Sequence, residues 1–262
     1  PAYQQAVKLG QAMAQHDWLV VTGAAHGIME AAHAGAGRAH AMGLNILLPF
    51  EQESNAVIAG DAKLVYMKYF FTRKLMLVKE CDAVVGLPGG VGTLDEALEV
   101  LTLLQTGKRD LVPMVLLDEP GGTFWESFQQ FIRSQMLARG LISQEDLSLY
   151  RITDDCETAV AEILGFFRVY HSMRYVKDQL VLRLSQPLSA ALLSDINAAF
   201  ADILETGRFE QMAALPDEAD EPDLADLPRL AFNFDRRNLG RLRQLIDCLN
   251  RGTVAAADKA AS

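Results

Sequence analysis

The sequence is poor in the residues that mark several functional classes. Its 262 residues include only three cysteines, Cys81, Cys156 and Cys248, which lie far apart with no C-x-x-C pair. Neither a disulfide framework nor a cysteine zinc site is suggested, and a reducing, cytoplasmic setting fits. No apolar run approaches the roughly 20 residues that cross a bilayer. Positive charge is scarce: 24 Lys and Arg against 34 Asp and Glu leave a net charge of −10. That balance argues against a general nucleic-acid or membrane surface, so an anionic ligand must be held by local charge and backbone N–H groups. The chain has no Walker A motif, no dinucleotide G-x-G-x-x-G, no Ser-His-Asp constellation and no lysine marked for a pyridoxal Schiff base. Half the residues are hydrophobic and 22% charged, as in a globular protein with a full core.

What is present is concentrated in one stretch. Ala83-Val84-Val85-Gly86-Leu87 is a short apolar run without period, which predicts a strand buried on both faces of a parallel sheet. Pro88-Gly89-Gly90-Val91-Gly92-Thr93 follows, and Leu94, Leu98, Leu101 and Leu104 then form one apolar helix stripe. Glycines at such a junction let N–H groups crowd around an anion, and a helix start adds unpaired donors with about half a positive charge. The stretch therefore predicts a phosphate cradle at Gly89, Gly90, Val91, Gly92 and Thr93. A second reading fits the same residues: Thr93-Leu94-Asp95-Glu96 is a capping box, with Thr93 capping the helix and Glu96 reaching back to its N–H. Both stay open on the residues alone.

Residues 88–96, Pro-Gly-Gly-Val-Gly-Thr-Leu-Asp-Glu, resemble the PGGxGTxxE signature of the LONELY GUY family at every fixed position. These proteins are nucleotide phosphoribohydrolases long mislabelled as lysine decarboxylases. Gly27-Ile28-Met29-Glu30-Ala31 is similar to the second glycine motif of the bacterial members, which usually carry more glycine where this chain has Ala24, Ala25 and His26. The resemblance covers about residues 1 to 165. It implies a homo-oligomer, dimeric or higher, that needs no cofactor or metal and releases a free base and ribose 5-phosphate from a nucleoside monophosphate. A non-catalytic nucleotide or cofactor carrier on the same fold is the alternative.

The resemblance also implies that Arg73 and Glu96 are the catalytic pair, with Lys74 adding positive charge for the substrate. Without it, Arg73 and Lys74 read as an ordinary exposed helix face. A carboxylate beside the sugar suits the oxocarbenium character that builds as a C–N glycosidic bond breaks, by analogy with glycosidases. Glu30 is a candidate for a ribose hydroxyl or base edge, or simply a first-turn acid favoured by the helix dipole. Gly27 and Met29 belong to the same loop, and Thr102 either lines the pocket or fills core. Glu51 and Glu53 are lesser candidates. His26, His33 and His40 recur every seven residues, about 10.5 Å apart on a helix, and cannot share one zinc.

Along the chain, the pattern predicts helix 2–15, strand 18–21, a helix from about 28 to 42, strand 44–48 ended by Pro49, and an extended segment at 63–69. Then come helix 71–80, the motif strand and helix, strand 112–117, helix 124–139, a connection over 141–155 and a helix from 157 to about 170. This alternation predicts a doubly wound, Rossmann-like parallel sheet over 1–170, with Gly27–Glu30, Pro49–Glu53 and Gly89–Glu96 on one rim. Family members place another strand ahead of the helix at Pro1, so the chain is expected to be an N-terminally incomplete copy of the domain. Residues 171–253 read as a small α+β appendage: strand 175–184, helix 188–204, an acidic loop at 215–227, strand 230–234 and helix 238–249. Arg236, Arg237, Arg241 and Arg243 read as a solvated helix face answering that loop. Residues 254–262 form an alanine-rich tail.

Overall fold

A computed structural model describes residues 1–46 and 53–252. The strand expected at 44–48 and the rim at 49–53 lie partly outside these residues, and Glu51 and the 254–262 tail lie wholly outside them. The chain divides into two compact units. One comprises 1–102, 112–141 and 150–163; the other comprises 103–111, 142–149 and the chain from Leu164 on.

The first unit is mixed α/β with parallel strands. Helix α1 (Ala2–Gln15) has Ala6, Leu9 and Met13 buried, as their spacing predicts. Strand β1 (Val20–Thr22) leads into α2 (Ile28–Ala36), then β2 (Ala41–Ile46), β3 (Leu64–Met67) and α3 (Phe70–Lys79). Strand β4 (Val84–Gly86), α4 (Val91–Gln105), β5 (Met114–Leu117), α5 (Phe124–Phe131), β6 (Arg151–Thr153) and α6 (Cys156–Phe166) follow. Two parallel ladders result, ordered β1-β2-β3 and β4-β5-β6. Helices α1 and α2 meet backbone to backbone. A Cβ on Gly10 would stand 2.2 Å from the Ala32 carbonyl oxygen, and one on Gly35 2.0 Å from that of Val7, so glycine is required at both.

Several boundaries differ from the sequence pattern for physical reasons. The second helix stops at Ala36, not Met42, because Gly37 adopts φ 74° and turns the chain out of the helix. Strands β1 and β4 are only partly buried, not enclosed on both faces, because each ends its ladder; Val21 is 38% exposed. Among the described strands of this unit, the central strand β5 is buried throughout. Val20, Val85 and Leu87 nonetheless pack against one core cluster with Leu9, Val115 and Ile163. The 124–139 helix loosens into a π-turn at Ile132–Met136 before ending at Gly140. Strand β6 fell inside the predicted connection because three residues carry no readable period.

The second unit contains a four-stranded antiparallel sheet in the order β7-β8-β10-β9. The predicted single strand at 175–184 is a hairpin of β7 (Tyr170–Val176) and β8 (Gln179–Leu184), turned at Lys177 with φ 56°. Helix α7 spans Ala190–Ala199, capped by the Ser189 hydroxyl, which accepts from the Leu192 N–H. Strand β9 (Leu204–Met212) follows where the pattern gave the end of a helix and no strand. It is an edge strand with Phe209 as its buried residue, so the alternation that would announce it is nearly absent. Strand β10 is Arg229–Phe234 and helix α8 is Leu239–Arg251.

The acidic loop is answered by different arginines from those predicted. Buried Glu218 accepts from Arg183 at 3.0 Å and from Arg229 at 3.1 Å, both buried, and also from the Leu215 N–H. Glu221 pairs with Arg174 and Arg183. Arg236 lies on the Tyr175 ring, Arg241 pairs with Asp202, and Arg243 is buried, pairing with Asp247 and stacking on Phe166.

Candidate active site

The site assembles in the first unit from the loop after β1, helix α3 and the start of α4. Thr22 Oγ1 accepts from the Ala24 N–H and lies 3.1 Å from His33 Nε2, which also meets the Met42 carbonyl. Asn55 supports the same loop: its N–H donates to the Ala24 carbonyl, and its side-chain amide donates to the Ala25 carbonyl and sits 3.2 Å from His33 Nδ1. Burial pushes the His33 imidazole below its ordinary range, despite its bonds to Met42 and Asn55. These contacts hold Ala24 at φ 59°, which costs a non-glycine residue on the order of 1–2 kcal/mol. Nothing in the pattern singles out Asn55, a lone amide in a polar loop.

The histidine series separates into three local roles. His26 pairs with Glu30 at 3.3 Å, His33 is the buried loop support, and His40 pairs with Asp17 at 3.0 Å. Glu30, a candidate for the ribose or base, therefore already holds a histidine.

Helix α4 begins at Val91, two residues before the predicted cap. Thr93 is its third residue, and its N–H donates to the Gly90 carbonyl at 3.0 Å, so the capping-box reading does not describe this helix. The N–H groups of Gly90, Val91 and Gly92 lie at the helix start, where the first N–H groups of a helix lack internal acceptors. Gly90 and Gly92 have ordinary φ, and a Cβ on either would meet no atom within 4 Å. Steric fit within the fold does not require glycine at either position. Gly89 is different: its Cβ would stand 2.2 Å from the Thr93 hydroxyl.

Arg73 rises from α3 toward the first loop. One guanidinium nitrogen lies 3.3 Å from where a Gly23 Cβ would stand, beside the Met29 sulfur at 3.0 Å, and the guanidinium packs on the Phe70 ring. Gly23 and Phe70 thus lie against Arg73, and the motifs did not single them out. Arg73 Nε is buried without a hydrogen-bond partner among the described residues, and so is Glu96 Oε2. Burial pushes the Glu96 carboxyl above the usual carboxylate range; Lys74 and Arg73 oppose that rise, while Asp95 and Glu99 add to it.

Lys74, expected to meet substrate phosphate, is occupied by carboxylates of α4. Its Nζ lies 2.5 Å from Asp95, 2.8 Å from Glu99 and 3.9 Å from Glu96. Thr102 is exposed, so it fills no core, and its hydroxyl donates to the Leu98 carbonyl at 2.7 Å. Glu53 is exposed.

Residues 26–163 match a family model described as possible lysine decarboxylase. A cytokinin riboside 5′-monophosphate phosphoribohydrolase of Mycobacterium marinum is 29% identical over 58% of this chain and 80% of its own. The LOG3 enzyme of that name from Arabidopsis thaliana is 36% identical over 54% of this chain and 65% of its own. Its relative LOG6, named as a probable enzyme of the same kind, is 37% identical over 44% and 55%. The chain thus spans about half to two thirds of the length of these plant relatives.

Proposed function

Because the chain belongs to the LONELY GUY family, we propose that it hydrolyses the N-glycosidic bond of a nucleoside 5′-monophosphate to free base and ribose 5-phosphate. The observation that carries this reading is the pair of buried polar atoms without a hydrogen-bond partner among the described residues, Arg73 Nε and Glu96 Oε2, together with a glycine loop that leaves open space at Gly90 and Gly92. A buried polar group left unsatisfied costs about 1–3 kcal/mol, so two of opposite character in one site favour a ligand that satisfies both.

In this mechanism the N–H groups of Gly90, Val91 and Gly92 hold the phosphate at the α4 N-terminus. Binding energy gained there positions the distant anomeric carbon against Glu96. As the C1′–N bond breaks, its electron pair leaves with the base and positive charge grows on the ribose ring. The Glu96 carboxylate stabilises that charge and orients the water that adds to C1′, and one of the water's protons ends on the base. Arg73 supplies a fixed positive charge to the sugar-phosphate, packed on the Phe70 ring. Gly27, Met29 and Glu30 border the base end.

The same proposal includes a doubly wound arrangement of the two ladders and a homo-oligomer. Phe70, Phe71, Leu75, Val91 and Leu98 are 42 to 84% exposed on α3 and α4, an apolar surface of the kind that a second copy covers. Among the described residues no helix is long and apolar enough to cross a membrane.

The test is release of free base from AMP, GMP, CMP, UMP and a cytokinin-type nucleotide. Release from at least one supports the enzyme and names its substrate. Tight binding without release from any of them leaves the carrier.

A further inference from the structure

We propose that Lys74 is a positioning residue that gathers Asp95, Glu99 and Glu96 and so fixes the aim and charge of Glu96, and that it is not a ligand of the substrate phosphate. This rests on the reading of Glu96 as the catalytic carboxylate. An ammonium has three donors and no acceptor. Two of them point at Asp95, 2.5 Å away, and Glu99, 2.8 Å away, while Glu96 Oε2 stands at 3.9 Å, beyond hydrogen-bond range but well within electrostatic reach. The Lys74 side chain is only 19% exposed, and the carboxylates seated on it take two of its three donors and repel an incoming phosphate.

The arrangement joins α3 to the first turns of α4. Asp95 and Glu99 are four residues apart and Glu96 and Glu99 three, spacings at which like charges on a helix repel. The charged groups facing Glu96 are Lys74 and Arg73 from α3 and Asp95 and Glu99 from its own helix. Removing the lysine therefore leaves three carboxylates within about one turn, with Arg73 as the remaining counter-charge. A clamp of this kind opposes the rise that burial imposes on the Glu96 carboxyl while leaving its Oε2 without a hydrogen bond, available to the reacting sugar.

The test follows kcat and KM against pH for Lys74→Met, Lys74→Arg and the double variant Asp95→Asn/Glu99→Gln, using the nucleotide that the unaltered protein cleaves. Beside it runs a 13C NMR titration of the Glu96 carboxyl, assigned with Glu96→Gln. Lys74→Met is expected to move the acid limb of the kcat profile and the Glu96 titration upward by roughly one pH unit, the size of a lost opposite charge at this range, with little change in KM. Lys74→Arg retains the profile. The double variant removes two like charges and is expected to move both downward in any case, so Lys74→Gln, expected to shift both upward as Lys74→Met does, decides the matter if Lys74→Met does not fold. A KM raised about tenfold or more, with the limb and the titration unmoved, makes Lys74 a phosphate ligand and overturns the proposal. If no nucleotide is cleaved, the enzymatic reading fails, and the NMR titration still decides the clamp: an unmoved Glu96 rejects it.

Discussion

Gly23 and Arg73 are fitted to each other: a guanidinium nitrogen of Arg73 lies 3.3 Å from the point where any side chain at position 23 would begin. The near neighbours are ends of flexible side chains, so Gly23→Ala leaves the fold intact and shifts Arg73 and Met29 by a few tenths of an ångström. Misplacement by 1 Å can cost about 100-fold, so a loss of roughly 5- to 10-fold in kcat is expected with the melting temperature nearly unchanged. Steady-state kinetics beside thermal melts check this; full activity would show that the guanidinium needs no exact seat.

The glycine loop makes a second, paired prediction. Gly90→Ala meets no atom, so it leaves stability within about 0.5 kcal/mol but weakens nucleotide binding where the phosphate must approach the backbone. Gly89→Ala collides with the Thr93 hydroxyl and destabilises by about 1–3 kcal/mol. Denaturant melts and binding isotherms on the two variants separate the roles. Equal stability loss in both would mean that the loop is glycine-rich for folding alone.

Glu96→Gln is expected to retain nucleotide binding and lose about 10²- to 10⁴-fold in turnover. It also bears on stability. A carboxyl held above its unfolded value contributes most when protonated, below the unfolded pKa, and the contribution is lost as pH rises through the folded pKa. Above the folded value a charged Glu96 therefore opposes folding, and there Glu96→Gln raises the melting temperature by roughly a degree or two. The gain shrinks as pH falls, which a melting series from pH 7 to pH 4 reads directly.

Glu96 also sits in a stretch for which the sequence pattern left two readings open. Thr93-Leu94-Asp95-Glu96 matches a capping box, yet the helix nucleates at Val91 because the Gly90 carbonyl accepts the Thr93 N–H. Local spelling cannot separate a cap from a first turn when the residues before it are glycines. Where burial follows period, the pattern reads well, as in α1 with Ala6, Leu9 and Met13. It fails at β6, too short for a period, and at β9, an edge strand whose residues face water. The resemblance names Arg73 and Glu96 as candidates, whereas Gly23, Phe70 and Asn55 meet the candidate site through contacts that no local pattern encodes.

In the second unit, Glu218 holds the acidic loop against two buried guanidiniums. Burial works against its charge, but hydrogen bonds from Arg229, Leu215 and Arg183 outweigh that and hold the carboxyl below the usual range. Its stabilisation is present above the unfolded carboxylate value and is lost as pH falls through the folded one. Glu218→Gln leaves the two arginines underpaired and is expected to cost about 3–5 kcal/mol at pH 7. Chemical denaturation at pH 7 and again at pH 4 reads both effects; a loss under 1 kcal/mol would mark the pair as energetically idle.

The most direct measurement is a crystal structure of the Glu96→Gln variant with the bound nucleotide that the unaltered protein cleaves. The account places the phosphate against the N–H groups of Gly90, Val91 and Gly92, with the anomeric carbon facing residue 96 and Arg73 along the sugar-phosphate. A nucleotide lodged away from that loop, or one whose ribose turns its anomeric carbon from residue 96, would contradict it.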